Sequence, residues 1–291
     1  MSQRLVPIDA IPMDLWRGTS DLLILPAQLS AAYRTKIELL GLTDLATQHG
    51  DEDGPAGGMK DEATRHHFAR RFPASCGRIQ LAVLDPKNEL LGASDLMISS
   101  FAGGKVTLLD APCGAGAAFT SVLTTIAALR RASCIPSDPL EVSVIGGDFS
   151  PYALDLSRRM HTALRDELSD VSIESSFVGV DWDAKDTQKT VDLLKVWTQE
   201  CMGARIKLAI AANFSDFLGH RDNFKECRRH LEDIFHWTDI PNTRFAWIEP
   251  QTNTAKSVFQ RLMDLIASIP LRLLKQAASE ESSTLPPMTH A

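Results

Sequence analysis

Three carboxylates stand at the ends of successive apolar runs. Asp110 closes V-T-L-L-D, Asp148 closes E-V-S-V-I-G-G-D and Asp181 closes I-E-S-S-F-V-G-V-D. Carboxylates at the carboxyl ends of parallel strands lie on one edge of a sheet, where open α/β folds bind ligands. Beyond Asp110 the chain continues A-P-C-G-A-G-A-A-F. Gly114 and Gly116 give that stretch a turn free of side chains, which can lie against a ligand at the amino terminus of the following helix. A tight strand-to-helix connection with no ligand uses the same residues. A fourth run, R-I-K-L-A-I-A-A-N, leads into F-S-D. There Asn213 can orient a reactant by hydrogen bonding, Phe214 can shield a cation and Asp216 can take a proton. Ordinary capping of a strand end is the plainer reading of that segment.

The elements that position these residues follow from periodicity. From Lys105 to about Pro270, short β-like runs alternate with longer helical ones, the pattern of a parallel sheet with crossover helices. Strands are expected at 106–111, 141–148, 173–181, 205–213 and 244–250. Helices are expected at Ala115–Arg131, Pro151–Leu168 and Lys185–Glu200, then over the segment before Thr238 and up to Pro270, with Ser150 as an N-cap. Only L-R-L-L-K-Q remains between Pro270 and the polar tail, so the sheet is expected to hold six strands or fewer. The expected division is a mostly helical amino-terminal region over 1–104, a sheet domain over 105–275 and a disordered tail over 276–291. Within the first region, a helix is expected from about Asn88 to Phe101. The G-D-E-D-G-P-A-G-G-M-K loop, residues 50 to 60, is too rich in glycine, proline and acid to bury a core.

A dinucleotide fingerprint fits poorly. It wants Gly or Ala where Phe119 stands, and an acid about 20 residues onward, whereas Asp148 lies well beyond that. D-A-P-C-G-A-G instead resembles motif I of the class I S-adenosylmethionine-dependent methyltransferases, D/E-x-G-x-G-x-G, with Pro112 in place of the first glycine and Ala118 of the last. The resemblance extends over roughly 105–270 and implies a Rossmann-like, mostly parallel sheet with S-adenosyl-L-methionine as cofactor. It places Asp110, Pro112, Gly114 and Gly116 at the cofactor, and Asp148 on its ribose hydroxyls with Phe149 alongside. Asp181 falls on the adenine amino group, with Asp183 as a substitute, and Trp182 against the ring unless it is a core aromatic. It brings Asn213 and Phe214 beside the reacting methyl group, with Asn213 and Asp216 as the catalytic candidates. The long 110–148 interval, carrying S-C-I-P-S-D-P-L, is expected to lie away from the ligand. N-F-S-D is not the N-P-P-Y type motif of amino-group DNA methylases. No Pro-Cys or Thr-Cys pair near it supplies the nucleophile of cytosine C5 methylation.

Composition narrows the acceptor. The 291 residues carry a formal charge of −7 with 44% hydrophobic residues, a balance suited to a globular protein and against broad phosphate binding. A small-molecule acceptor is therefore slightly favoured. Nucleic acid, through the basic Arg65–Arg78 stretch, is the alternative, and a non-catalytic protein that binds S-adenosylmethionine is a third reading. His66 and His67 in that stretch suit a solvated or inter-region face better than a metal site. Five scattered cysteines without a C-x-x-C pair suit reduced thiols, and the amino terminus lacks a signal-peptide pattern. No apolar run is long enough to cross a membrane, and the expected location is the cytoplasm.

Overall fold

The computed structural model describes residues 4–48, 60–90 and 92–268. The amino-terminal region opens with a two-stranded antiparallel pair, β1 (Trp16–Arg17) and β2 (Leu22–Leu23). Four helices follow: α1 (Ala27–Leu39), α2 (Thr43–Thr47), α3 (Asp61–Leu84) and α4 (Ala93–Ser100). Then come β3 (Gly104–Asp110), α5 (Ala117–Arg131), β4 (Leu140–Asp148), α6 (Pro151–Ser169), β5 (Ile173–Asp181), α7 (Thr187–Glu200) and β6 (Ile206–Ala212). The described chain finishes with α8 (Ser215–Gly219), α9 (Asn223–Thr238), β7 (Thr243–Ile248) and α10 (Asn253–Ser268). Among the described residues the main sheet has five strands in the order β5-β4-β3-β6-β7, all parallel. The protein is α/β, with a Rossmann-like sheet and a helical amino-terminal region.

Both faces of the sheet are covered, so its central strands read as nearly continuous apolar runs. In β3, Val106 and Leu108 join the core formed with α5 and α6, whereas Leu109 and the following Ala111 join the core formed with α7 and α9. That is the two-residue alternation of a strand. Helix starts follow local chemistry: Pro151 opens α6 while the Ser150 hydroxyl accepts from the Ala153 N–H, and Asp186 accepts from the Lys189 N–H to open α7.

The amino-terminal helices share the first of these cores. Leu29, Phe68, Phe72, Ile79 and Val83 are buried together with Phe119, Val122 and Ile126 of α5. The Ser121 hydroxyl donates to the Cys76 carbonyl at 2.8 Å, which fixes α3 along α5. Helix α3 runs through Pro73, which has no N–H and leaves the Ala69 carbonyl without its helical donor. The Tyr33 hydroxyl donates to that carbonyl at 2.5 Å, so a residue of α1 repairs the gap.

The helix expected from Asn88 begins later, at Ala93. Asp85, at φ 40°, ends α3 in the left-handed region, and its carboxylate accepts from the Glu89 and Leu90 N–H groups to build a turn there. The S-C-I-P-S-D-P-L loop sits at the amino end of the strands, where Pro139 accepts from the Gly104 N–H. The tail, and all but the last residue of the glycine-rich loop, lie outside the described residues. Among the described residues no helix is long and apolar enough to cross a membrane.

Candidate functional site

In the order β5-β4-β3-β6-β7 the chain runs outward from β3 in one direction and resumes at β6 in the other. The carboxyl ends of β3 and β6 therefore flank the topological switch point, where the two diverging connections leave a crevice. The residues at this edge form two groups.

The first lies at the ends of β3 and β4. Asp148 Oδ2 accepts from the Gly114 N–H and Oδ1 from the Ser150 N–H, both at 2.9 Å. The Ser157 hydroxyl donates to the Gly114 carbonyl at 2.8 Å, and Cys113 N–H donates to the Gly147 carbonyl at 2.9 Å. The glycine turn is thus tied to β4 and α6 by its own backbone. Asp110 is wholly buried and turns inward, where Oδ2 accepts from the Phe119 N–H at 3.2 Å and caps the first turn of α5. Among the described residues, Oδ1 of Asp110 is buried without a partner. Burial pushes the Asp110 carboxyl up to about 8 and that of Asp148 up to about 6.

The glycines of this group differ in what they serve. A Cβ on Gly116 would stand 2.4 Å from the Phe119 ring, and one on Gly146 would stand 2.7 Å from the Phe177 ring, so internal packing requires both glycines. Gly114, at φ 51°, has no atom of the described residues within 4 Å of its would-be Cβ, its chain neighbours aside. Its open side is the place where a ligand can approach the backbone.

At the end of β5, Asp181 is exposed and both its oxygens accept from Lys189 Nζ. Asp183 is half-buried and accepts from the Lys185 N–H. Trp182 does not reach the crevice. At 2% exposure it belongs to the α7/α9 core, with its indole N–H donating to Thr190 Oγ1 at 3.2 Å. The strand alternation that points Asp181 outward turns Trp182 inward.

The second group joins the ends of β6 and β7 to the amino-terminal region. Asn213, at φ 55°, follows β6, and its Oδ1 accepts from Arg78 Nε of α3 at 2.9 Å. Glu249 follows β7, and its Oε1 accepts from the Phe214 and Ser215 N–H groups at 2.7 and 2.9 Å. Burial pushes the Glu249 carboxyl up to about 7 although Phe214 and Ser215 hold its charged form, and among the described residues Oε2 is buried with no geometric hydrogen-bond partner. Phe214 is 4% exposed and packs against Phe217, Trp182 and Trp247, so it serves the core beneath the ends of β6 and β7. Asp216 is exposed nearby.

The structure thus brings Pro112, Gly114, Phe149, Asp181 and Asn213 to a partly open edge and draws Asp110, Trp182 and Phe214 into the cores. Glu249, a strand-end acid that suits either a pocket lining or a plain strand terminus, and Arg78 of the basic stretch join them. Glu249 had a signal in the sequence, a strand-end E-P, while nothing local to Arg78 connects it with a strand more than a hundred residues away. The Arg65–Arg78 stretch is not a single basic patch: Arg65 pairs with Asp61 one helical turn earlier, and Arg78 turns toward Asn213.

No protein-family model matches the chain, and no curated protein matches it either.

Proposed function

We propose that the protein binds S-adenosyl-L-methionine across the ends of β3, β4 and β5 and transfers its methyl group to an acceptor held at the ends of β6 and β7. The observation that carries this reading is Gly114. It has positive φ and open space before it, and its N–H is held by the acid that ends β4. It also stands at the switch point of a 5-4-3-6-7 sheet, where ligands of such folds sit.

The residues present fit the cofactor. The 5% exposed Asp148 carboxylate already takes backbone N–H groups of Gly114, Ser150 and Phe149, and of its roughly four lone-pair sites one is left to accept from a ribose hydroxyl. Asp181 is open to an exocyclic amine by exchange with Lys189. Asp110 supports the turn by capping α5, without touching the ligand. The cofactor, when bound, supplies an electrophilic methyl group on a sulfonium. The chain's part is then to hold the acceptor in line, which Asn213 does through its fixed amide, and to receive a proton where the acceptor carries one, a role for exposed Asp216. An acidic chain and an edge roofed by α3 favour a small molecule as acceptor. Calorimetry with S-adenosylhomocysteine, followed by tritiated-methyl labelling of small-molecule fractions, tests the proposal. Labelled product is expected, and binding without any transfer would leave a cofactor-binding protein.

A further inference from the structure

Arg78 is a half-buried cation whose fork is only partly used. Its Nε donates to Asn213 Oδ1 at 2.9 Å, and one terminal nitrogen donates to Ser75 Oγ at 3.4 Å. The other, Nη1, has no hydrogen-bond partner among the described residues. Because a guanidinium only donates, Asn213 must turn its oxygen toward Arg78, and its Nδ2 donors are forced to the other side. No described residue accepts from that Nδ2 either.

The left-handed Asn213 backbone is braced by Glu249, which takes the next two N–H groups, so the amide cannot swing away cheaply. Unused donors therefore remain on two bonded residues at the crevice end of β6, one on the sheet and one on the amino-terminal helix. Burial lowers the Arg78 pKa and Arg71, two turns earlier on α3, adds to that, while Glu249 and Asp216 favour its charge. Glu249 spends one oxygen on backbone amides and has the other buried, and among the described residues neither is hydrogen-bonded to Arg78.

We infer that Arg78 and Asn213 form a carboxylate-binding subsite at the transfer edge. The planar fork beside a primary amide matches the two oxygens of a carboxylate, with charge assistance that a neutral group would not receive. This inference rests on the proposed cofactor reading for its biological meaning and on the donor geometry for its existence. The carboxylate belongs either to the amino-acid end of the cofactor or to the acceptor.

The test measures S-adenosylhomocysteine and methylthioadenosine, which lacks the amino-acid end, on the full chain and on Arg78→Gln by calorimetry. In parallel, acetate is titrated into the free protein and into its S-adenosylhomocysteine complex while the Asn213 side-chain amide is followed by NMR. If the carboxylate is the cofactor's, Arg78→Gln weakens S-adenosylhomocysteine at least tenfold and leaves methylthioadenosine unchanged, and acetate moves the Asn213 amide in the free protein alone. If it is the acceptor's, neither affinity changes, and acetate moves the Asn213 amide in the wild-type complex but not in that of Arg78→Gln. Arg78→Lys keeps the charge without the fork and is expected to show the same losses should Arg78→Gln not fold. Unchanged affinities with no acetate-dependent shift would overturn the subsite. If neither adenosine compound binds the wild type, the cofactor reading fails while the acetate titration of the free protein still decides the subsite.

Discussion

The two halves of the crevice are built by different means. At the ends of β3 and β4, side-chain acids bond to backbone amides within about forty residues of chain, and the glycine turn, β4 and α6 form one self-contained unit. At the ends of β6 and β7, the key bond runs from a helix of the amino-terminal region to the sheet, between residues 135 positions apart. The first half can take shape wherever the sheet folds, whereas the second needs α3 seated on α5. A protein of this design can keep the β3/β4 side constant and change the β6/β7 side by changing what precedes the sheet.

The sharpest way to break this contrast is to compare the two glycines of the first half. Gly116→Ala forces a methyl group into a Phe119 ring already packed on Phe177, at a positive φ, and should cost about 3 kcal/mol of stability by thermal or denaturant unfolding. Gly114→Ala meets no atom, so only the backbone penalty of about 1 to 2 kcal/mol applies. Its ligand affinity should nevertheless fall at least as far as that of any other variant of the turn. Equal stability losses at the two positions would mean that Gly114 is a packing glycine too.

A second test uses pH. Asp110, Asp148 and Glu249 have folded-state pKa values raised by burial, to about 8, 6 and 7. A carboxyl raised in this way stabilises the folded state below its unfolded pKa, near 4, and loses that contribution as pH climbs through its folded value. Unfolding free energy should therefore fall from about pH 4 to pH 8, with each group contributing at most about 1.4 kcal/mol per pH unit. Asp110→Asn should remove the last part of the fall, between about pH 7 and 8, and Glu249→Gln should flatten the profile between about pH 4 and 7. A profile that rises over this range would contradict the buried, inward placement of these acids. The smallest expected effect is at Trp182. Trp182→Phe loses one buried hydrogen bond, about 1 kcal/mol, and should leave ligand affinity unchanged, because the indole lies in the core.

Much of the first half was legible in the sequence. β5 matches I-E-S-S-F-V-G-V-D end to end, and β4 differs from its expected span by one residue, because the β-branched and apolar alternation is strong there. The inward turn of Asp110 was not legible, since an acid at a strand end serves a ligand or a helix cap equally well until its neighbours are known. Trp182 depended on one residue of strand alternation, which decides between the crevice and the core. The second half was the least legible. Pro73 breaks the helical pattern of α3, and its tolerance depends on a hydroxyl from Tyr33 that no local rule supplies. With α3 unseen as one continuous helix, Arg78 could not be placed beside Asn213.

The central claim is that the Gly114 turn and Asp148 hold an adenosine-bearing ligand. It is tested most directly by calorimetry of S-adenosylhomocysteine on the full chain and on Asp148→Ala. One saturable site is expected in the wild type, weakened by about 1.5 to 3 kcal/mol in Asp148→Ala. Absence of binding at millimolar ligand, or an Asp148→Ala protein that loses melting temperature while keeping full affinity, would contradict it.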